Sequence, residues 1–484
     1  MKKGDDLELE ISGYAYEGKG ISKVYKRLIK PDNSTDINSD LPNYIVFVNG
    51  SYPGDTVNAK LKKIKNSYSE ANLVDVIKPS GFRVQARCKY FGTCGGCKQQ
   101  DLKYEMQIAY KQEQVKEIFE HIGGLRVFEI EDILPSENIF FYRNKMEFSF
   151  ADKRWLTKEE LNTDIITDKN FALGLHIPRI FDKVLDIEEC FLQSEISNGI
   201  INFTRTFFKE KNTSIYSTKT HTGYLRNLVI RQSQHTDDLM VNIVTSKEDE
   251  NLMGEYSTAL LKAISPITTI INNINFKKAS VAIGDYEKVF YGSGVIYDKI
   301  GNYKFRISAN SFFQTKTLQA ENLYKTVLDY ANFNSGAIVY DLYSGAGTIA
   351  IYISNNVQKV YGFESVETSV NDAIENARLN NVENVEFISA NLYKSFLPIV
   401  EKKNIEKPDV IVIDPPRSGM HKNTVADVVK LSPEKIVYVS CNPATQVRDI
   451  RLMVDNGYKL IKIRPIDMFP HTFHIENVAL LHKS

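Results

Sequence analysis

Four short stretches carry residue types that could do chemistry. In Ile436-Val-Tyr-Val-Ser-Cys441-Asn442-Pro443, a run rich in β-branched residues ends in a turn. The run reads as a buried strand that the turn cannot continue. Cys441 therefore sits at the C-terminal tip of a strand, the edge where open α/β sheets bind ligands. The second stretch, Phe469-Pro-His-Thr-Phe-His-Ile-Glu476-Asn477, carries a carboxylate at the start of another strand. A thiol and a carboxylate facing one cleft supply a nucleophile and a base. The third, Asp341-Leu-Tyr343-Ser-Gly345-Ala-Gly347-Thr348, follows a strand and opens a helix, and its glycines let backbone approach a ligand closely. The fourth, Ile413-Asp414-Pro-Pro-Arg417-Ser-Gly419, places Asp414 at a strand tip ahead of a rigid turn, open to the same cleft.

The acidic Glu364, ending the strand after the glycine loop, can bind both hydroxyls of a ribose. Position 350 is alanine, so there is no complete Gly-x-Gly-x-x-Gly. A dinucleotide pyrophosphate is accordingly less expected than S-adenosylmethionine, which has no phosphate. In the methyltransferase version of such a sheet the last strand runs antiparallel to the rest. Glu476, early in that strand, would then lie beside Cys441.

The other four cysteines fall in the first 190 residues: Cys88, Cys94, Cys97 and Cys190. Cys-x5-Cys-x2-Cys with glycines at 95 and 96 lets thiolates converge, and Cys190 is the remaining candidate for a fourth ligand. Four thiolates fit either a zinc ion or an iron–sulfur cluster.

Regular elements must position these groups. From Phe305 the pattern alternates: strand Ile338–Leu342, strand Lys359–Phe363, helix Val366–Asn380, strands Val385–Ile388, Asp409–Ile413 and Lys435–Ser440, helix Ala444–Asn456, strand Lys459–Arg464, and a last strand Ile475–Leu481. Alternating strands and helices mean a doubly wound, Rossmann-like α/β sheet over residues 306–484. Residues 1–80 hold β-rich runs at Leu7–Ser12, Tyr44–Val48, Thr56–Ile64 and Ala71–Ile77, with an extended polar loop at Pro31–Pro42. Short strands at this spacing suggest a barrel of OB type that contacts nucleic acid. Residues 81–305 form a mixed α+β central domain around the cysteine site. It contains a helix over Leu102–Ile122 and strand-like runs at Tyr142–Phe148 and Leu225–Arg231.

At 484 residues the chain exceeds one core. No apolar stretch approaches membrane length and the N-terminus leads into no apolar run, so a cytoplasmic protein without a membrane partner is expected. Formal net charge is zero. Between Val57 and Lys116, however, twelve Lys/Arg stand against five Asp/Glu, a basic region suited to a selective nucleic-acid partner.

Taken together, these motifs resemble the RNA uracil-C5 methyltransferases, and among them the cluster-containing enzymes that make 5-methyluridine in 23S ribosomal RNA. The resemblance runs from the N-terminal barrel, called a TRAM domain in that family, to the last strand. It rests on the four N-terminal cysteines, Asn310-Ser-Phe-Phe-Gln314, Asp341–Thr348, Asp414-Pro-Pro-Arg417, Ser440-Cys441-Asn442-Pro443 and His474-Ile-Glu476-Asn477. It implies a [4Fe-4S] cluster on Cys88, Cys94, Cys97 and Cys190. It implies S-adenosylmethionine contacts from Gln314, Tyr343, Glu364 and Asp414, with Cys441 as nucleophile and Glu476 as base. The implied partner is 23S ribosomal RNA with its target uridine flipped out, acted on by a monomer. Thr348 departs from the pattern, since several members have Asn there, and the Pro31–Pro42 loop is a second departure.

The chemistry explains the residue types. Uracil C5 is too weak a nucleophile to take a methyl group unaided. A thiolate adding at C6 makes an enolate, and the methylated product still carries a C5 proton that a carboxylate must remove before the thiolate leaves. Three other readings compete: a tRNA uracil-C5 methyltransferase, an exocyclic-amine methyltransferase, and a non-catalytic RNA-binding assembly factor. Arg417 stands where the amine enzymes have an aromatic residue. A binder needs neither Cys441 nor Glu476.

Overall fold

The computed structural model describes residues 2–25, 44–162, 168–178, 180–278 and 281–484; the Pro31–Pro42 loop lies outside them. The N-terminal sheet has six strands: Asp6–Glu10, Gly13–Ala15, Lys19–Val24, Tyr44–Asn49, Thr56–Ile64 and Tyr68–Lys78. The first and second strands lie at opposite edges of this sheet, yet only Ile11 and Ser12 join them. A flat sheet would separate those edges by roughly 24 Å, whereas the connection reaches only about 11 Å. The sheet must therefore roll into a barrel. Alternating residues fill it, among them Val46, Val48, Val57, Ala59 and Leu61. Strands Gly13–Ala15 and Lys19–Val24 escape sequence reasoning because Gly13, Gly18 and Gly20 dilute the strand signal. Gly20 is required by contact: a Cβ there would meet Ser51 Oγ at 2.2 Å.

The central sheet has eight strands, with Lys145–Ala151 and Leu225–Gln232 paired at its middle. Met146, Phe148 and Phe150 join Leu228 and Ile230 in a core under helices Glu195–Glu210 and Glu250–Ala263. The alternate residues Lys145, Glu147, Ser149, Asn227 and Val229 form the opposite face. The strand-like runs expected here are thus amphipathic strands with one apolar and one largely polar face.

In the C-terminal sheet, strands Val385–Ser389, Lys359–Glu364, Ile338–Leu342, Val410–Ile413 and Lys435–Ser440 are parallel and adjacent in that order. Glu476–Lys483 pairs antiparallel with Lys435–Ser440, and Tyr458–Ile466 lies beyond it. Alternation divides two cores. Val339, Val412, Val437 and Val439 face one; Tyr340, Leu342, Ile411, Ile413, Ile436 and Tyr438 face the other. The second core also takes Val115, Ile118 and Phe119 from helix Tyr104–Glu117 and the π-helical turn that follows it. Strand Glu129–Ile130 adds to the edge beside Tyr458–Ile466. The segment after the cysteines is therefore packed into the C-terminal core. The chain winds to opposite sides of Ile338–Leu342, which places a ligand crevice between its tip and that of Val410–Ile413. Among the described residues no helix is long and apolar enough to cross a membrane.

Candidate active site

The glycine loop turns away from strand Ile338–Leu342 through three left-handed residues, Tyr343 (φ 66°), Gly345 (53°) and Gly347 (79°). A Cβ on Gly347 would meet the Phe387 ring at 2.5 Å, so only glycine allows this close approach. Glu364 holds the loop. One carboxylate oxygen accepts from Gly345 N (3.0 Å), and the other accepts from Ser365 N (2.7 Å) and Val366 N (2.8 Å). Asp341 is fully buried; one of its oxygens accepts from Ala350 N (3.1 Å) and the other has no partner. Burial and the nearby Asp414 push its carboxyl well above the usual range. Burial raises Asp414 to about 7. An uncompensated group of carboxylates in a crevice favours a cationic ligand.

Gln314 reaches the same crevice. Its carbonyl accepts from Asn144 Nδ2 (2.8 Å), and its side chain lies against the Tyr324 hydroxyl. That hydroxyl pairs with Thr348 Oγ1 at 2.8 Å, so Thr348 is engaged within the protein. The Tyr343 ring packs with the core that contains Met420 and Val425, its hydroxyl near Thr424.

Cys441 follows strand Lys435–Ser440 and precedes helix Pro443–Val454. Asn442 caps that helix: its Oδ1 accepts from Ala444 N (3.1 Å), and Pro443 fills the first turn. Asn442 Nδ2 donates to Arg417 O (3.1 Å), joining the nucleophile loop to the Asp-Pro-Pro-Arg loop. In the antiparallel pairing Ser440 lies opposite Asn477, so Cys441 and Glu476 are neighbours at one sheet edge. Burial, then Glu476 and Asp414, push the Cys441 thiol up to about 12, while Arg417 opposes them. Glu476 is only 8 % exposed, and burial together with Asp414 raises its carboxyl far above the ordinary value. A raised carboxyl is a stronger base.

The loop before Glu476 is anchored elsewhere. His471, with φ 63°, accepts at its carbonyl from Lys98 N (2.8 Å) and Gln99 N (3.1 Å). Its own N–H donates to Gln107 Oε1 (2.8 Å). Lys98 directly follows Cys97, so the cysteine segment braces the loop that carries Glu476.

Cys88, Cys94, Cys97 and Cys190 line one cavity of about 500 Å³, with Leu175, Ile177 and Leu192 among its apolar walls. Gly96 N donates to Cys94 Sγ (3.3 Å) and Gln100 Nε2 to Cys97 Sγ (3.2 Å). Among the described residues no three His, Cys, Asp or Glu side chains stand close enough to grip a single ion. A tetrahedral zinc would need sulfurs roughly 3.8 Å apart. Two of the four sulfurs thus accept from N–H groups of the cysteine segment itself.

Sequence reasoning gave no site role to Tyr324, Asn144, Asn442 or Tyr16, whose hydroxyl lies 3.1 Å from Asn442 Oδ1. The Tyr16–Asn442 pair spans 426 residues, a separation that leaves no local pattern.

Comparison with known proteins accords with this geometry. A sequence model of the tRNA (uracil-5-)-methyltransferase family matches residues 295–484, and one of the TRAM domain matches residues 2–74. An uncharacterized RNA methyltransferase of Chlorobaculum tepidum is 40 % identical over 487 residues, covering 100 % of this chain and 97 % of the relative. One from Bacteroides thetaiotaomicron is 41 % identical over 471 residues, covering 96 % and 99 %. The structure of Pyrococcus abyssi tRNA (uracil-54, C5)-methyltransferase with S-adenosyl-L-homocysteine is similar with a TM-score of 0.71 at 28 % identity, covering 98 % of this chain and 99 % of that one.

Proposed function

We propose, from the premise that this chain belongs to the TRAM-bearing RNA (uracil-5-)-methyltransferase family, that it methylates C5 of a uridine in 23S ribosomal RNA through a covalent adduct on Cys441. It is an S-adenosylmethionine-dependent RNA methyltransferase. We propose further that it acts as a cytoplasmic monomer. The observation that carries the mechanism is the register Ser440 opposite Asn477, which sets a thiol beside a buried carboxylate at the ligand edge of the sheet.

S-adenosylmethionine supplies the methyl group as an activated electrophile. Glu364 and the backbone of Tyr343–Gly347 would hold its adenosine, and Gln314, Asp341 and Asp414 would line its charged end. Cys441 adds to C6 of the flipped uracil, breaking the C5–C6 π bond and placing negative charge on C5 and O4. After C5 gains its methyl group, Glu476 takes the C5 proton, the C5–C6 double bond re-forms and the Cys441–C6 bond breaks. Arg417, close enough to oppose the rise in the Cys441 pKa, favours the thiolate. Burial excludes water from the carboxylate.

Cys88, Cys94, Cys97 and Cys190 would hold a [4Fe-4S] cluster. Its role is to fix the segment that braces His471, rather than to pass electrons.

The likeness to the Pyrococcus abyssi enzyme supports a second reading, a uridine in tRNA. Mapping 5-methyluridine in ribosomal and transfer RNA from a deletion strain decides between them. Loss from 23S RNA with tRNA intact is the expected result; loss from tRNA alone overturns the ribosomal assignment.

A further inference from the structure

We propose that Tyr16, on the N-terminal barrel, is a positioning residue for the nucleophile loop: its hydroxyl donates to Asn442 Oδ1 and so helps to fix Cys441. The inference rests on the role assigned to Cys441 and adds to it a contribution from the barrel.

The geometry has three parts. The turn after strand Gly13–Ala15 carries Tyr16, Glu17 and Gly18, and through Tyr16 it contacts the C-terminal core. Tyr16 packs against the core that contains Val447 and Ile475, and its hydroxyl lies 3.1 Å from Asn442 Oδ1. Gly18, at φ +76°, lies against Phe473 and Tyr14: a Cβ there would stand 3.4 Å from the Phe473 side chain and 3.2 Å from Tyr14 Oη. The turn is therefore wedged between the loop that holds Cys441 and the loop that leads to Glu476.

The base of the turn is tied down by two buried amides, Gln114 on the helix that packs into the C-terminal core and Gln99 in the segment just after the cysteines. Gln114 Nε2 donates to Ala15 O (3.0 Å), and Gln99 Nε2 donates to Tyr14 Oη (2.9 Å). Both donors are buried. A surface turn meant only to touch RNA has no need of such anchoring.

At Asn442, Oδ1 accepts from both Tyr16 Oη and Ala444 N, while Nδ2 donates to Arg417 O. Ala444 N–H can only donate and the Arg417 carbonyl can only accept, so the amide oxygen faces the helix start and the Tyr16 hydroxyl while the NH2 faces Arg417. The amide thus clamps three things adjacent to Cys441: the helix start, the Arg417 loop and the barrel. Arg417 and Cys441 also lie near enough to act on the Tyr16 hydroxyl, the first lowering and the second raising its pKa. Removing the phenol leaves the amide with one donor on its oxygen and frees the loop to sample other positions. A freed thiol loses part of the burial that now raises it, while its alignment with uracil C6 is lost.

Those two consequences pull reactivity in opposite directions, which makes the test specific. Full-length Tyr16→Phe, with its cluster intact, should react with iodoacetamide at Cys441 at least threefold faster at pH 8, followed by mass spectrometry of the Cys441 peptide. Its covalent adduct with 5-fluorouridine RNA should form at least tenfold more slowly under saturating RNA, with the Kd for RNA within twofold of wild type. Gly18→Ala, which displaces the turn without removing the hydroxyl, should show the same divergence. Glu17→Ala, on the same turn but without a hydrogen bond to the Asn442 loop, should show neither change. If the two rates of Tyr16→Phe do not diverge, or if only RNA affinity falls, Tyr16 does not position the loop. Alkylation reads the thiol without RNA, so this outcome stands apart from the assignment of the uridine reaction, which fails instead if Cys441→Ala still forms the adduct.

Discussion

At the scale of single residues, the proposed mechanism separates two roles that a loss of activity alone would merge. Cys441→Ala should bind RNA yet form no adduct and transfer no methyl group. Glu476→Gln should still allow addition and methyl transfer, while proton removal slows by about 10²–10⁴-fold. A protein–RNA species labelled from methyl-labelled cofactor should then survive denaturing electrophoresis; normal turnover by Glu476→Gln would remove the carboxylate from the mechanism. The thiol makes a second prediction about charge. Burial, Glu476 and Asp414 push Cys441 up to about 12. Negative neighbours disfavour the thiolate, so a positive ligand beside Asp414 must lower that value. S-adenosylmethionine should therefore accelerate alkylation of Cys441 at pH 8–9 more than S-adenosylhomocysteine, whose sulfur is neutral. Equal acceleration by both would show that the sulfonium charge does not act on the thiol.

At the scale of elements, the junction of strand Ile338–Leu342 with helix Thr348–Ile353 is the most constrained part of the crevice. Its left-handed residues permit a turn tight enough to expose backbone, and the Phe387 ring occupies the space any Cβ on Gly347 would need. Gly347→Ala should lower stability by about 1–3 kcal/mol through backbone strain alone, with the clash in addition. Glu364 joins this loop to the start of helix Glu367–Leu379 by accepting from Gly345, Ser365 and Val366. Glu364→Ala should thus weaken cofactor binding by roughly 1.5–3 kcal/mol, the range for hydrogen bonds to a charged acceptor. Calorimetry with S-adenosylhomocysteine checks it, and unchanged affinity refutes the ribose assignment.

At the scale of the whole molecule, the three large sheets are tied together around one crevice. The barrel reaches Asn442 through Tyr16, and the cysteine segment holds His471 through Lys98 and Gln99. A buried ion pair, Lys111 Nζ to Asp467 Oδ1 at 2.6 Å, fastens the helix after the cysteines to the segment leading to His471. Cluster loss should accordingly act at a distance. Anaerobically purified protein should be brown with about four irons, as four thiolates around one cubane require. Cys97→Ser should lower Tm and slow methylation while S-adenosylhomocysteine affinity stays near wild type. Stoichiometric zinc without iron would overturn the cluster.

The sequence by itself determined what depends on neighbours along the chain. The period of the apolar residues fixed the alternating strands and helices of the last domain, because each element is a local repeat. The motifs placed Asp414 and Cys441 at strand tips, because Pro415-Pro416 and Asn442-Pro443 follow them and cannot continue a strand, and Glu364 at the end of an apolar run. Even the meeting of Cys441 with Glu476 was legible, since one antiparallel strand suffices to bring the two edges together. The small barrel strands Gly13–Ala15 and Lys19–Val24 were not, because their glycines carry no strand preference and only pairing with Tyr44–Asn49 holds them extended. Nor could local pattern show that helix Tyr104–Glu117 belongs to the C-terminal core, or that Tyr16 meets Asn442. Those contacts join residues hundreds of positions apart, and only the closure of three sheets around one crevice selects them.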